Sequence, residues 1–430
     1  MSRIERWLSE SPRAVMTLYV MVAAFTAYAS MYAFRKPFTA TGYDGLTAFT
    51  LFGVVFSYKP IAIISQLLGY MGSKFIGIKV ASEASMKRRA PLVLGLILFA
   101  ELMLLMFALA LAPYNLIFLF LNGLSLGMVW SLLFGILEGR RVTEFLGLAM
   151  SVSVVFASGW VKSVGRWTME SWGISEFWMP VTTGLLFVPV LLVSLLMLYH
   201  VPPPTEEDIA SRTKRAPMDK AERRNFIRSY FPGVFLLMLG YLCLMTYRDL
   251  RDSFMDKILT DLNYTVDSST FARIESWVGV AVILILCLLW RVKDNRMAVW
   301  CNFGLIALGS ITLGVATLLL QQKVIGPETF YLVNGIGLYI AFVPYQSILM
   351  DRLLASLHTV ATASFLIAMA DSFGYLSTVS LYLARDIFSK INGADIPWIQ
   401  MLNIASFVVM IVVPLVTVGL IRYFSPRLKS

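Results

Sequence analysis

Arg35 and Lys36 stand side by side at the end of an apolar run, with Pro37 directly after them. A guanidinium is planar, permanently charged and bidentate toward phosphate or carboxylate oxygens. Two adjacent cations in that place have two readings: a charged cap snorkelling to a membrane face, or half of an anion site. A second arginine, Arg248, lies well beyond Pro232 in another apolar run. That is about 24 Å along a helix, still inside a hydrocarbon core of about 30 Å. A charge near the bilayer centre costs at least about 2.5–3.5 kcal/mol, so each one asks for a reason.

Other side chains join the candidates. Lys59, followed by Pro60, is expected near the middle of the second span, as a ligand or gating group or as a structural ion pair with an acid of the eleventh span. Asp371, in the eleventh span, either titrates a proton or neutralises Lys59 or an arginine; neutralisation is the preferred reading. Glu101 is mid-span in the third segment and reads first as a polar helix contact. Lys162, toward the outer end of the fifth span, either faces a cavity or snorkels. Asp249, Arg251 and Asp252 follow Arg248 closely and are expected to form outer-gate ion pairs, which makes Arg251 a rival for the anion role. Gln346, near Pro344, is a cavity-lining candidate. Most aromatics read as packing, with Tyr28, Tyr32 and Tyr241 the expected exceptions. Arg35, Lys59 and Arg248 against Asp371 alone would leave an excess of positive charge, which favours a bound dianion and obligatory exchange.

The elements that must hold these residues follow from composition. Of 430 residues, 58% are hydrophobic and 14% charged, against about 45–50% and about 25% in soluble domains. The expected fold class is an all-α polytopic membrane protein. A window of about 20 apolar residues gives about twelve transmembrane helices. They fall near 14–36, 47–72, 90–112, 114–138, 142–165 and 177–199, then 231–255, 271–290, 297–320, 327–350, 359–384 and 398–422. The domains are then 1–199 and 231–430, two six-helix bundles joined by a cytoplasmic linker at 200–230. The first run exceeds the about 7–15 apolar residues of a signal peptide and reads as a retained helix.

The net charge of +10 is unevenly placed. Arg3, Arg6, Arg13, Lys74, Lys79, Lys87, Arg88, Arg89, Arg140, Arg141, Arg212, Lys214, Arg215, Arg291, Lys293, Arg296, Arg352, Arg422, Arg427 and Lys429 fall on one side. That bias predicts both termini in the cytoplasm. It accounts for the basic charge through anionic membrane lipids and without nucleic acid. Cys243, Cys287 and Cys301 have no disulfide or zinc spacing. There is no Gly-rich phosphate loop, and no cofactor is expected.

The two halves repeat. Tyr28 precedes Arg35 by seven residues, and Tyr241 precedes Arg248 by seven. Asn122-Gly123 in the fourth span matches Asn334-Gly335 at nearly the same offset. Parallel six-helix repeats with a linker between them build one large class of secondary transporters. The chain thus resembles the major facilitator superfamily over nearly its whole length. The pattern Tyr28-x3-Tyr32-x2-Arg35-Lys36-x-Phe38 resembles the organophosphate:phosphate antiporter branch, which includes the glycerol-3-phosphate and hexose-phosphate transporters. The resemblance implies pseudo-symmetric bundles and an arginine from the first and the seventh helix, Arg35 and Arg248, sharing the substrate phosphate. The loop between helices 2 and 3, expected at Gly69–Lys74, lacks the aspartate usual in the superfamily. Residues 64–83 also resemble an uncharacterised bacterial offshoot of it.

The leading expectation is a monomeric secondary transporter in a bacterial inner membrane. It would move a small organic anion, a phosphorylated metabolite exchanged for phosphate, by alternating access. One alternative is a proton-coupled symporter of a carboxylate, sugar or peptide using Asp371 or Glu101. Another is a transporter-like sensor signalling through 200–230. An enzyme is disfavoured because the spans hold no histidine–acid cluster.

Overall fold

A computed structural model describes residues 3–137, 143–203, 220–289, 292, 294–357 and 363–428. The chain divides into two compact units, Met1–Thr213 with Asp267–Arg273, and Lys214–Val266 with Ile274–Ser430. Within the expected linker, 204–219 lie outside the described residues, as do Arg140, Arg141, Arg291, Lys293 and Lys429.

The first unit opens with a short amphipathic helix, α1 (Arg3–Glu10), whose Leu8 is buried while Trp7 is exposed. The first long helix, α2 (Arg13–Met31), tightens into a 3-10 turn at Tyr32–Phe34 and stops at Arg35. A second 3-10 turn, Pro37–Ala40, follows and is buried. Proline has no N–H and disfavours the helical conformation in the residue before it, so Lys36-Pro37 ends the helix.

The second expected span, 47–72, is corrected. Residues 47–57 form an antiparallel hairpin, β1 (Thr47–Leu51) and β2 (Val54–Ser57). Its two-residue turn, Phe52-Gly53, has positive φ at both positions, 50° and 72°. That twist matches the strands it joins. The helix begins only at Tyr58, as α3 (Tyr58–Glu83). Pro60 therefore sits in a first helical turn, where its missing N–H costs nothing, and bends no mid-membrane helix. The supposed loop at Gly69–Lys74 is helical, and Lys74 is part of α3.

The unit continues with α4 (Met86–Leu109), α5 (Leu116–Leu126), α6 (Val129–Leu137), α7 (Thr143–Trp172) and α8 (Met179–Tyr199). The pair α5 and α6 is one span with a turn at Gly127-Met128. Helices α3 and α5 meet backbone to backbone: a Cβ on Gly69 would overlap the Phe120 carbonyl, and one on Gly123 the Gln66 carbonyl. Small residues at this spacing are what helices in lipid use to approach closely.

The second unit contains α9 (Lys220–Ser229), α10 (Phe231–Ser253), α11 (Met255–Asp261), all but the first turn of α12 (Thr270–Leu289), and α13 (Asn295–Gln321). Then come α14 (Pro327–Pro344), α15 (Met350–Leu357), α16 (Ala363–Asn392) and α17 (Trp398–Phe424). Between α14 and α15 the helix widens into a π turn at Tyr345–Leu349.

Among the described residues nine helices are long and apolar enough to cross a membrane. Three more long helices, α3, α7 and α14 with its continuation, carry more polar side chains and complete six per unit. In each unit the first long helix packs on the fifth and sixth, and the third on the fourth and sixth. Leu98 and Leu102 of α4, Val193 and Leu196 of α8, and Leu308 and Val315 of α13 turn outward. This is the apolar surface lipid requires.

Candidate functional site

In the first unit the break in α2 positions Arg35. The helix stops while still surrounded by protein, so its last carbonyls need donors. Asn122 Nδ2 donates to the carbonyls of Phe34 and of Ala100, both at 3.0 Å. Gln66 Nε2 donates to the Arg35 carbonyl at 3.0 Å and to Asn122 Oδ1 at 2.8 Å. Ala100 lies near the middle of α4, which sets the depth of Arg35. The arginine does not snorkel to a membrane face: it is 4% exposed.

Its guanidinium lies over two tyrosine rings, 3.9 Å from the centroid of Tyr70 and 5.7 Å from that of Tyr32. Lys74, one turn along α3, is 5.6 Å from the same Tyr70 ring. Two cations thus share one aromatic ring. Tyr28 makes edge contacts with Tyr32 at 5.6 Å and Trp130 at 4.8 Å and completes the aromatic surround. Tyr70 and Lys74 are hidden as site residues when 69–74 is taken for a loop, and Gln66, within the expected span, carries no local pattern that ties it to Arg35. The i, i+4 spacing of Tyr70 and Lys74 was the available signal.

Lys36 is buried at the start of the turn Pro37–Ala40, its carbonyl accepting from Thr39. Lys59 is buried too, but as the second residue of α3 and not at its middle. The hairpin accounts for the shift. Lys162 is 1% exposed in α7, so it does not snorkel. Glu101, in α4, packs its carboxyl against Gly184 of α8. Neither of its oxygens has a hydrogen-bond partner among the described residues. The first unit thus buries four cations, Arg35, Lys36, Lys59 and Lys162, and one acid, Glu101, among its described residues.

The second unit is arranged otherwise. Arg248 lies within the unbroken α10, its guanidinium 2.8 Å from the Asp249 carboxylate and 4.6 Å from the Phe342 ring centroid. Tyr241, one face of the same helix, donates a short hydrogen bond to Asp371 of α16. The Tyr241 ring packs on Phe342 and Tyr345. Arg251 is fully buried and is no rival for an exchangeable anion. Its guanidinium is held by Glu275 at 2.6 Å and the Tyr331 carbonyl at 2.9 Å. Gly335 lies behind it, where a Cβ would come within 2.6 Å of the guanidinium. Asn334 donates to the Tyr247 hydroxyl at 2.6 Å, which in turn meets Ser406 at 2.8 Å. Gln346 lies half-buried on the π turn.

The expected balance of three cations against Asp371 alone is also corrected. This unit buries Asp249, Asp252, Asp256, Glu275, Asp371 and Asp386. Arg385 answers Asp386 at 2.9 Å and Asp395 at 2.7 Å. The sequence showed these acids but not their depth, which for Asp252 and Asp256 follows from the turn at Phe254 between α10 and α11 and for Glu275, Asp371 and Asp386 from the packing of α12 and α16.

No curated protein matches the sequence. Solved structures do. A bacterial homologue of the human lysosomal transporter Spinster, inward-facing and unoccupied, superposes with a TM-score of 0.62 at 13% identity, over 96% of this chain and 98% of that one. A peptide transporter, POT, in complex with sulfate gives 0.62 at 12% identity, over 96% and 95%. A D-xylose–proton symporter gives 0.60 at 10% identity, over 95% and 97%. These likenesses, with the apolar helices, identify an all-α polytopic membrane protein of the major facilitator fold. The sequence model of a family of unknown function matches residues 37–427, nearly the whole chain, and the protein therefore belongs to that family, DUF5690.

Proposed function

We propose that the protein is a secondary transporter for a small organic anion, working by alternating access, and not an enzyme. The observation that carries this reading is the pair of cations, Arg35 and Lys74, on the one Tyr70 ring, inside a unit whose buried charge is predominantly positive. A ring face beneath a guanidinium fixes its plane, and it is through its edge that a guanidinium binds an oxyanion in bidentate fashion. Arg35, Lys36 and Lys162 supply the positive field, and Tyr28 and Tyr32 orient Arg35. Arg248 is the second guanidinium of the proposal; an arriving anion competes with Asp249 for it. Tyr241 and Gln346 line the second unit's share, and Asp371 balances charge there. A phosphorylated metabolite exchanged for phosphate fits a site built for a dianion. The basic residues on one side support both termini in the cytoplasm, and a monomer in a bacterial inner membrane is part of the same proposal.

Thermal unfolding of the purified protein across a panel of anions and neutral solutes tests this. Phosphate and phosphate esters should raise Tm, since a ligand at a hundred times its Kd stabilises by about 2.7 kcal/mol. Arg35→Lys should abolish the shift while leaving the unliganded Tm in place. Stabilisation by neutral sugars alone would overturn the reading.

A second reading, proton symport, has its own observation: the Glu101 carboxyl, buried without a hydrogen-bond partner among the described residues. In proteoliposomes, exchange predicts uptake that needs a trans anion. Uptake into anion-free vesicles driven by a proton gradient, and lost in Glu101→Gln or Asp371→Asn, would establish symport instead.

A further inference from the structure

Residues 45–58 contain no charged side chain, yet the hairpin they form stands at the surface. Phe52, at its tip, is 91% exposed; Leu51 and Val55 are about half exposed. The register sets Phe49 opposite Phe56 and Leu51 opposite Val54. Alternation along the strands then gathers Phe49, Leu51, Val54 and Phe56 on one face, with the Phe49 and Phe56 rings 4.9 Å apart. Thr50, Val55 and Ser57 take the other face. The first face is wholly apolar, with Phe56 itself buried, and the second carries two hydroxyls beside the half-exposed Val55.

A strand pair left in water is ordinarily protected by lysine, proline or a bulge at its edge. This one has no charge and no proline; its one irregularity is a register shift between Thr47 and Phe49, at the base and away from the exposed tip, and its sequence is of the kind that pairs with copies of itself. Its surroundings say what covers it. The hairpin shares an end of the unit with the α4–α5 and α7–α8 connections: Tyr58 bonds Asn115 at 2.7 Å, and Tyr43 packs on Phe177 at 5.4 Å. That end exposes Leu111, Tyr114, Trp172 and Trp178. Tryptophan and tyrosine collect at the headgroup level of a bilayer. The outer edges of a two-stranded ribbon carry unpaired N–H and C=O groups, which forbid full immersion in hydrocarbon. The headgroup layer is the depth that suits both the edges and the apolar face.

We propose that the hairpin 47–57 is a membrane-interface anchor, lying in the lipid headgroup layer with Phe49, Leu51 and Phe52 directed toward the acyl chains. It rests on the membrane-spanning fold and is independent of what is transported. It pins the start of α3, and with it Lys59.

The test is spin-label depth in phosphatidylcholine–phosphatidylglycerol vesicles. Single cysteines replace Thr50, Leu51, Phe52 or Ser57 in a chain with Ser at Cys243, Cys287 and Cys301. Val193→Cys, on the lipid-facing side of α8, calibrates the scale. Labels at 51 and 52 should collide several-fold more with oxygen than with an aqueous nickel chelate, and labels at 50 and 57 the reverse. Labels at 51 and 52 open to the nickel chelate would overturn the proposal, as would labels shielded from both reagents, the latter meaning a protein cover such as a second copy. A Val193 label open to nickel would overturn the membrane placement itself. In the unsubstituted protein, hydroxyl-radical footprinting should oxidise Phe52 several-fold less in vesicles than after unfolding in urea. Equal oxidation rejects the anchor.

Discussion

The first long helices of the two units descend from one repeated pattern and end differently. In the first unit the helix stops at Arg35, before Lys36-Pro37. In the second, α10 continues past Arg248 to Ser253, with Asp249 where Lys36 stands in the other half. The asparagine of the fourth span follows suit. Asn122 caps the carbonyls that the broken helix releases, while Asn334, with no broken helix to serve, holds the Tyr247 hydroxyl. The charges diverge in the same way. The second unit answers its arginines internally, Arg248 with Asp249, Arg251 with Glu275 and Arg385 with Asp386. The first buries cations with Glu101 as the sole buried acid among its described residues. A repeat can therefore persist in sequence while the buried charge of one half includes both acids and bases and that of the other is predominantly basic among its described residues.

The contrast is most sharply tested at Arg251. Arg251→Met strands the Glu275 carboxylate in the interior and should cost about 3–5 kcal/mol, read as a lowered Tm in detergent. Arg251→Met with Glu275→Leu should recover most of the loss, since an apolar pair of similar volume is often neutral. Arg35→Lys should leave Tm nearly unchanged. If the two arginines behaved alike, the division of labour between the units would be wrong.

The asparagines come next. Asn122→Ala removes donors to two backbone carbonyls and the acceptor of Gln66, and should cost about 2–3 kcal/mol by chemical denaturation. Asn334→Ala removes one side-chain bond and should cost about 1 kcal/mol. Equal costs would mean the broken helix is not held by Asn122. The mildest comparison is between glycines. Gly123→Ala must push against the α3 backbone and should destabilise by about 1–3 kcal/mol. Gly304→Ala, with nothing within 4 Å of the new methyl, should be neutral or stabilise by up to about 1 kcal/mol.

Much of the fold was legible because lipid demands length: a run such as Met179–Tyr199 has no other reading. The same apolarity hid the hairpin. Residues 47–72 are mostly apolar, with Lys59 the one charge, so period alone could not separate strand from helix. The β-branched and aromatic run with Phe52-Gly53 was the signal to weigh. That one slip placed Lys59 at mid-span and Lys74 in a loop, where the structure has a helix start and a helical turn, and so concealed the Arg35–Tyr70–Lys74 arrangement. Arg251 is in an ion pair, as expected, but with a partner the sequence did not indicate. Its partner, Glu275, lies on a different helix, and no local pattern announces such a pairing. The repeat, by contrast, correctly singled out Asn122 and Asn334 without indicating that their roles differ.

The meeting of α3 and α5 has a mechanical consequence. Between Gly69 and Phe120, and between Gly123 and Gln66, no side chain intervenes that could change rotamer or slide. Two rods touching along their bare backbones behave as a plank. The close approach runs on to the turn itself: a Cβ on Gly127 would overlap the Tyr70 carbonyl, and one on Gly77 would come within 2.6 Å of Met128 Cβ. A displacement of Tyr70 should therefore carry Gly123, the Gly127-Met128 turn and the Asn122 bracket with it, and through that bracket the end of α2.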